Sequence, residues 1–271
     1  MMKVGTDAMI LGSWTGERTG SEDRARNERA ESATYRILDI GTGTGVLSLM
    51  LAQGFSGLHS SEKDSKANYP GPASLSGRRG VVRGEAIDAI EIDKNAYLQA
   101  KENFENSSWR NRIHAYHISI QDFNPVDNKK YDLILSNPPY FEYNQKASKE
   151  SESYNERTNA RSFDKLSFTE LLLNASRLLG DEGRFYVIIP AVSAASFISE
   201  AVQNNLFLFD RLNIQSKENL EPVRTILGFA KNKKDLKEDK IVIYRDNNGY
   251  TDEYIELTKN YHARDMRKTG T

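Results

Sequence analysis

A buried strand that runs through a glycine-rich turn into a helix is the feature that most constrains the fold of this chain. Residues Tyr35–Ile40 form a mostly apolar run, and glycines follow at positions 41, 43 and 45. Apolar residues then recur at helical spacing: Val46, Leu47, Leu49, Met50 and Leu51. A strand followed directly by a helix is typical of βαβ units, so a parallel sheet is expected.

The same alternation of strand and helix continues along the chain. Further strands are predicted at Ala86–Glu91, Ile113–Ile118, Tyr131–Ser136, Gly183–Pro190, Phe207–Gln215, Arg224–Ala230 and Lys240–Tyr244. Helices are predicted near 95–106, 167–179 and 193–204. No helix separates the late strands, which favours an antiparallel hairpin at one edge. The pattern therefore predicts a Rossmann-like α/β fold with a doubly wound, mostly parallel sheet.

Two hydrophilic segments interrupt this pattern. The first, at about 16–36, is charged and poor in apolar residues, and the second, at about 54–84, is rich in Ser, Gly, Lys and Arg. A chain of 271 residues can bury one substantial core. We therefore expect one domain over 1–271, with surface insertions at these two places.

Composition excludes several kinds of chemistry. The chain has no cysteine, so disulfides, thiolate catalysis and cysteine-bound metals are excluded. Its four histidines are scattered, and no metal site is predicted. There is no signal-peptide pattern or membrane-length apolar run, so we expect a cytoplasmic protein, with a monomer favoured. The formal net charge of −1 means that any nucleic-acid contact must rely on local positive charge.

The residues around the turn predict the class of cofactor. A dinucleotide fingerprint would place its third glycine at position 46, which is Val46, and the glycine–lysine ending of a phosphate loop is absent. Glu91 ends the second strand and can accept hydrogen bonds from ribose hydroxyls. Asp39 beside Gly41, Gly43 and Gly45 would repel phosphate and attract a cation. This combination fits S-adenosylmethionine, although each feature alone also suits an ordinary strand–helix turn.

The tetrapeptide Asn137-Pro138-Pro139-Tyr140 follows the fourth strand. Two prolines cannot continue a ladder, so the chain must leave the sheet at its carboxyl edge, where such sheets bind ligands. Asn137 Oδ1 and the Pro138 carbonyl could accept hydrogen bonds from an amino group, while Tyr140 stacks on a planar base. We interpret these as catalytic residues of methyl transfer to an amine such as that of adenine. A plain proline-rich turn would explain only the prolines.

The loop after this motif carries positive charge. Lys146, Arg157 and Arg161 lie between the predicted site and the next helix, and phosphate contacts from them would position an RNA. The carboxylates of the same loop also allow a plain solvated loop. A basic cluster at 78–83 is a second, weaker candidate.

The chain resembles the bacterial tRNA1(Val) adenine N6-methyltransferases. The shared segments, in the same order, are Lys3–Ala8, Leu38–Gly45, Ile87–Glu91, Ser136–Tyr140, Arg157–Arg161 and Tyr250–Tyr254. The resemblance implies a class I methyltransferase fold and S-adenosylmethionine as donor. It also implies methylation of N6 of the adenosine at position 37, just 3′ of the anticodon, in a tRNA presenting a flipped-out base.

The resemblance extends the cofactor site and shows three departures, one of which is that the two hydrophilic insertions have no counterpart in the family. It implies cofactor contacts from Asp39, the turn glycines, Glu91 and Asn137. The acid that usually follows the third strand is replaced by Ser119, with Asp122 nearby, and these two are the candidates for contacting the adenine of the cofactor. Family members also carry a segment before the Lys3 stretch with which this chain begins.

Other functions use similar residues. A glutamine N5-methyltransferase acting on release factors would hold an amide amino group with the same motif, as would a methyltransferase of DNA or ribosomal RNA. A catalytically idle RNA-binding protein could share the fold. Intact Asn137 and Tyr140 favour an active enzyme over that alternative.

Overall fold

A computed structural model describes residues 5–20, 35–56, 85–125, 128–139 and 166–261. The helices are α1 (Thr6–Gly20), α2 (Val46–Ser56), α3 (Lys94–Glu105), α4 (Phe168–Leu178), α5 (Ala194–Gln203) and α6 (Asp252–Thr258). The strands are β1 (Tyr35–Ile40), β2 (Glu85–Glu91), β3 (Ile113–His117), β4 (Tyr131–Ser136), β5 (Leu179–Pro190), β6 (Phe207–Lys217), β7 (Arg224–Ala230) and β8 (Lys237–Tyr244). Short 3₁₀ turns follow at Ala191–Ser193 and Lys259–Tyr261.

The strands form one sheet in the order β3-β2-β1-β4-β5-β7-β6-β8. The five strands β3, β2, β1, β4 and β5 run parallel to one another. Strand β7 is antiparallel to both β5 and β6. The doubly wound, mostly parallel sheet predicted from sequence is confirmed. The hairpin lies one position inside the edge, because β8 pairs in parallel with β6 and forms the outer strand.

The core lies on both faces of this sheet. Alternate strand residues point to opposite faces: Ile37 packs with the α2 and α3 side, whereas Leu38 packs with the α4 and α5 side. Helices α1 and α6 join the first side, where Leu11 and Leu257 are buried. The parallel strands are apolar on both faces because helices cover both of them.

Regular elements occupy parts of both segments that the sequence predicts as insertions. Helix α1 extends to Gly20, and β1 already includes Arg36, so both ends of the segment at 16–36 belong to regular elements. Thr15 and Thr19 of α1 are buried, and each hydroxyl is satisfied because it donates to a carbonyl four residues earlier, at 2.7 and 2.6 Å. Because threonine counts as polar, a hydropathy pattern does not show that this face of the helix is buried. Helix α2 likewise extends to Ser56, and residues 21–34 and 57–84 lie outside the described ranges.

Two further observations apply to the described residues alone. None of their helices is long and apolar enough to cross a membrane. Within the same ranges, no cluster of His, Asp or Glu side chains has the arrangement of a metal site.

Candidate cofactor and substrate site

A cavity of about 360 Å³ lies at the carboxyl ends of the parallel strands β1 to β4. Its walls come from the glycine turn, the ends of β2 and β3, the segment after β4 and Leu166, two residues before α4. The described lining residues are Ile40, Gly41, Gly43, Ile90, Glu91, Ile92, Ile118, Ser119, Ile120, Gln121, Asn137, Pro138, Pro139 and Leu166. Residues predicted separately as cofactor contacts and as catalytic groups thus meet in one cavity.

The turn between β1 and α2 needs its glycines for conformation and space. Gly41, Gly43 and Gly45 have φ of +71°, +59° and +84°, values that L side chains rarely adopt. A Cβ on Gly45 would overlap the ring of Phe104 in α3. The backbone N–H groups of Gly41 and Thr42 donate to the carbonyl of Ile90, at 3.0 and 3.1 Å. The turn is therefore tied to the end of β2, and it places Gly41 and Gly43 in the cavity wall.

Asp39 lies behind this turn and is only 1% exposed. Its Oδ2 accepts the hydroxyls of Thr42 and Ser48 at 2.6 and 2.7 Å, which links the end of β1 to the turn and to α2. Burial raises the pKa of this carboxyl to about 6, and the two hydroxyls oppose that shift only in part. Asp39 was predicted to contact the cofactor, but the structure places it behind the cavity wall, where it holds the turn.

Glu91 lines the cavity at the end of β2. Its two carboxylate oxygens each accept a backbone N–H at 2.9 Å, one from Gly43 and one from Asp93. A carboxylate oxygen has two lone pairs, so both can still accept a hydroxyl. These contacts fix the side chain at the position expected for a ribose contact.

The first residues after β3 complete one end of the cavity. Ser119 lines the wall, but its hydroxyl donates to Oδ2 of Asp122 at 2.7 Å and accepts the N–H of Asp122 at 3.2 Å. Asp122 is outside the described lining, so the structure does not place this predicted contact in the cavity. Gln121, which lies between them and also lines the cavity, was not predicted from the sequence. A long polar side chain in the first turn after β3 was the available signal.

The segment after β4 supplies the predicted catalytic groups. The Ser136 hydroxyl, fully buried, donates to the carbonyl of Ile40 at 3.0 Å and so anchors the end of β4 against β1. Asn137, Pro138 and Pro139 follow and line the cavity. Three other predicted substrate contacts, Lys146, Arg157 and Arg161, lie outside the described residues, as does Tyr140.

Comparison with known proteins identifies sequence relatives over almost the whole chain. A model of the Eco57I restriction-modification methylase family matches residues 47–221. A tRNA1(Val) (adenine(37)-N6)-methyltransferase from Flavobacterium psychrophilum is 35% identical over 263 residues, which cover 97% of this chain and 93% of that protein. The enzyme of the same name from Trichodesmium erythraeum is also 35% identical, covering 97% and 92%.

Solved structures share the fold at low sequence identity. A predicted O-methyltransferase from Agrobacterium tumefaciens aligns with a TM-score of 0.60 at 15% identity, covering 95% of this chain and 97% of that one. A Listeria monocytogenes protein assigned to the class I S-adenosylmethionine-dependent methyltransferases aligns with a TM-score of 0.52 at 14% identity, covering 97% and 74%. These likenesses concern the fold alone.

Proposed function

The chain belongs to the tRNA1(Val) (adenine(37)-N6)-methyltransferase family, and it also matches the Eco57I methylase model. We propose that it methylates N6 of adenine 37 in tRNA1(Val). S-adenosylmethionine is the cofactor. The observation that carries the assignment to this cavity is that Asn137 and Pro138 line it together with Glu91 and the glycine turn.

The residues of the cavity fit this cofactor. Glu91 presents carboxylate oxygens to ribose hydroxyls, and isoleucines from the ends of β2 and β3 line the wall nearby. The carboxylates of Glu91 and of the buried Asp39 oppose a phosphate group and favour a ligand with a positive centre. A pyrophosphate ligand is disfavoured for the same reason.

When bound, S-adenosylmethionine would supply a methyl group from its sulfonium, the thioether S-adenosylhomocysteine being the leaving group, and the methylated amine would lose one proton to water. The chain's task is to orient the amine that accepts the methyl. Asn137 Oδ1 and the Pro138 carbonyl are acceptors on a rigid segment, and hydrogen bonds from the two amine N–H groups would direct the nitrogen lone pair away from the base plane. Fixed acceptors of this kind lower the barrier by orientation and by charge stabilisation.

We assign the remaining substrate contacts to the loop after the motif. Tyr140 would stack on the target base, and Lys146, Arg157 and Arg161 would contact RNA phosphates. Pro139 and Leu166, the described residues on either side of this segment, both line the cavity, which supports assigning substrate contacts to it.

The test is methyl transfer to unmodified valine tRNA, with N6-methyladenosine measured by nucleoside mass spectrometry. We expect the wild type to form it and Asn137→Ala to lose at least about 100-fold in rate, because the amine loses an oriented acceptor. Asn204→Ala, in a position just after α5 and outside the cavity lining, is the matched control and is expected to keep full activity.

Two results would overturn the proposal. Methylation of a release factor but not of tRNA would replace the substrate with a glutamine side chain. Unchanged activity of Asn137→Ala would remove the proposed catalytic role from this motif.

A further inference from the structure

The end of the cavity beyond Glu91 has the composition of a pocket for a flat heterocycle. Ile92, Ile118 and Ile120 line it, together with the polar residues Ser119 and Gln121. Apolar walls with a few placed polar groups are typical of sites for a planar ring. Since Glu91 is the ribose contact in the proposed function, this end corresponds to the adenine ring of the cofactor.

Gln121 is held by a residue from a different part of the chain. Its Nε2 donates to Oε1 of Glu170 in α4, at 3.0 Å. A carboxylate only accepts hydrogen bonds, so Glu170 determines which end of the amide faces it. The amide nitrogen is turned toward Glu170, and the carbonyl Oε1 is the end left for a ligand.

Glu170 is itself fixed and ionised. Its Oε2 accepts the backbone N–H of Ser167 at 3.0 Å, and the Ser167 hydroxyl accepts the backbone N–H of Glu170 at 3.2 Å, which together form a capping box at the start of α4. The same Oε2 also accepts the Ser167 hydroxyl at 2.8 Å. The backbone N–H of Ser167, together with the amide of Gln121, lowers the pKa of Glu170 below its usual value. Glu170 therefore stays charged near neutral pH and keeps accepting from Gln121.

Ser119 and Asp122, the residues predicted to contact the cofactor adenine, are hydrogen-bonded to each other. The Ser119 hydroxyl uses its proton on Asp122, and Asp122 is outside the described lining of the cavity. Gln121 is therefore the side chain of this turn that can offer an oriented acceptor to a ligand in the cavity.

We propose that Gln121 Oε1 accepts a hydrogen bond from the exocyclic amino group of the cofactor's adenine, and that Glu170 is the positioning residue that orients it. This inference rests on the proposed function, because it assumes an adenosyl cofactor in this cavity. In this chain the amide of Gln121 would take the role expected of an acidic side chain after β3, and Glu170 of α4 sets its orientation. The same pair links the cofactor pocket to the first turn of α4.

The inference predicts selectivity at one position of the cofactor base. Hypoxanthine carries a carbonyl where adenine has its amino group, so its oxygen would face the acceptor of Gln121. Two acceptors that face each other with no donor between them are unfavourable. We therefore expect wild-type protein to bind S-adenosylhomocysteine roughly 10-fold more tightly than S-inosylhomocysteine.

Calorimetric titration of both ligands tests the two residues. Gln121→Leu keeps the size of the side chain but removes the acceptor, and it is expected to lose most of the preference. Glu170→Gln retains the capping box, since glutamine also serves at that position, but it lets the Gln121 amide turn over. This variant is expected to bind S-inosylhomocysteine more tightly than the wild type does, which a purely structural role for Glu170 would not produce.

Gln99→Leu is the matched control, because the Gln99 amide donates to Asn103 on the surface of α3 and is outside the lining. Its preference should equal that of the wild type. Equal affinity of wild-type protein for the two ligands, or an unchanged preference in Gln121→Leu, would overturn this inference and leave the proposed function standing. Failure of wild-type protein to bind S-adenosylhomocysteine would instead overturn the proposed function.

Discussion

Among single residues, Asp39 combines a structural task with an unusual electrostatic position. It is buried behind the glycine turn and accepts hydroxyls from Thr42 and Ser48. Because burial raises its pKa from 3.8 to about 6, the folded protein binds a proton more tightly than the unfolded chain does. Protonation of Asp39 therefore favours the folded state, and this contribution is lost as the pH rises through about 6.

We predict that wild-type protein loses about 1 kcal/mol of unfolding free energy, relative to Asp39→Asn, between pH 5 and pH 8. The variant cannot ionise at this position, so the difference between the two proteins isolates the titration of Asp39. Urea unfolding at the two pH values measures it.

A wild-type protein that gains stability relative to Asp39→Asn as the pH rises would show that the pKa of Asp39 is lowered in the folded state, contrary to the prediction.

Among the elements, the β1–α2 turn depends on the packing of a helix from the next unit. Phe104 of α3 occupies the space where a Cβ on Gly45 would lie, and Gly45 also has a positive φ. Asn103, in the same helix, donates to the carbonyl of Thr44 at 2.8 Å. The conformation of the cofactor turn is thus coupled to the position of α3.

We predict that Gly45→Ala destabilises the protein by about 2–4 kcal/mol, because it adds backbone strain to a steric overlap with an aromatic ring. It should also weaken cofactor binding, since the turn must shift. Thermal unfolding and calorimetry with S-adenosylhomocysteine measure the two effects.

Two glycine variants separate the causes. Gly43 has a positive φ, but a Cβ at this position would meet open space. Gly43→Ala should therefore lose less unfolding free energy, from backbone strain alone. Gly5→Ala has no atom within 4 Å and should stay close to the wild type. Equal stabilities of Gly45→Ala and Gly5→Ala would contradict the proposed packing.

At the scale of the whole molecule, α1 joins the amino-terminal part of the described chain to strands near the carboxyl end. Arg18 forms ion pairs with Asp210 of β6, at 3.6 Å, and with Asp239 of β8. Its guanidinium also stacks over Trp14, 4.3 Å from the ring centroid. Asp210 is only 1% exposed, and burial raises its pKa, so its charge depends on a partner from α1.

We predict that Arg18→Met lowers the unfolding free energy by about 2–4 kcal/mol, because it leaves a buried carboxylate without its cation. The double variant Arg18→Met/Asp210→Asn should recover part of this loss. Urea unfolding of the two single variants and the double variant gives the coupling.

Arg245→Met provides the matched control, since Arg245 pairs with Asp252 on the surface at 2.7 Å, with side chains 48% and 85% exposed. Its cost should stay below about 1 kcal/mol. Additive effects of Arg18→Met and Asp210→Asn would argue against a direct interaction between them.

The sequence predicts those parts of the molecule that depend on neighbours along the chain. The bounds of β1 and β4, the glycine turn and the departure of the chain at Pro138 follow from apolar periodicity, positive φ and the missing N–H of proline. The segment predicted as an insertion at about 16–36 overlaps the end of α1, because the buried Thr19 satisfies its hydroxyl inside the helix and looks polar in sequence.

What the sequence alone determined is the order of the strands and of helices α2 to α5, and the class of ligand that the ends of β1, β2 and β4 can bind. Helices α1 and α6 were not predicted. The tertiary structure decided the position of β7 between β5 and β6, the burial of Asp39 and the pairing of Gln121 with Glu170, 49 residues away. These features arise when distant segments pack together. Local propensity carries no information about which of many possible long-range partners will satisfy a polar side chain.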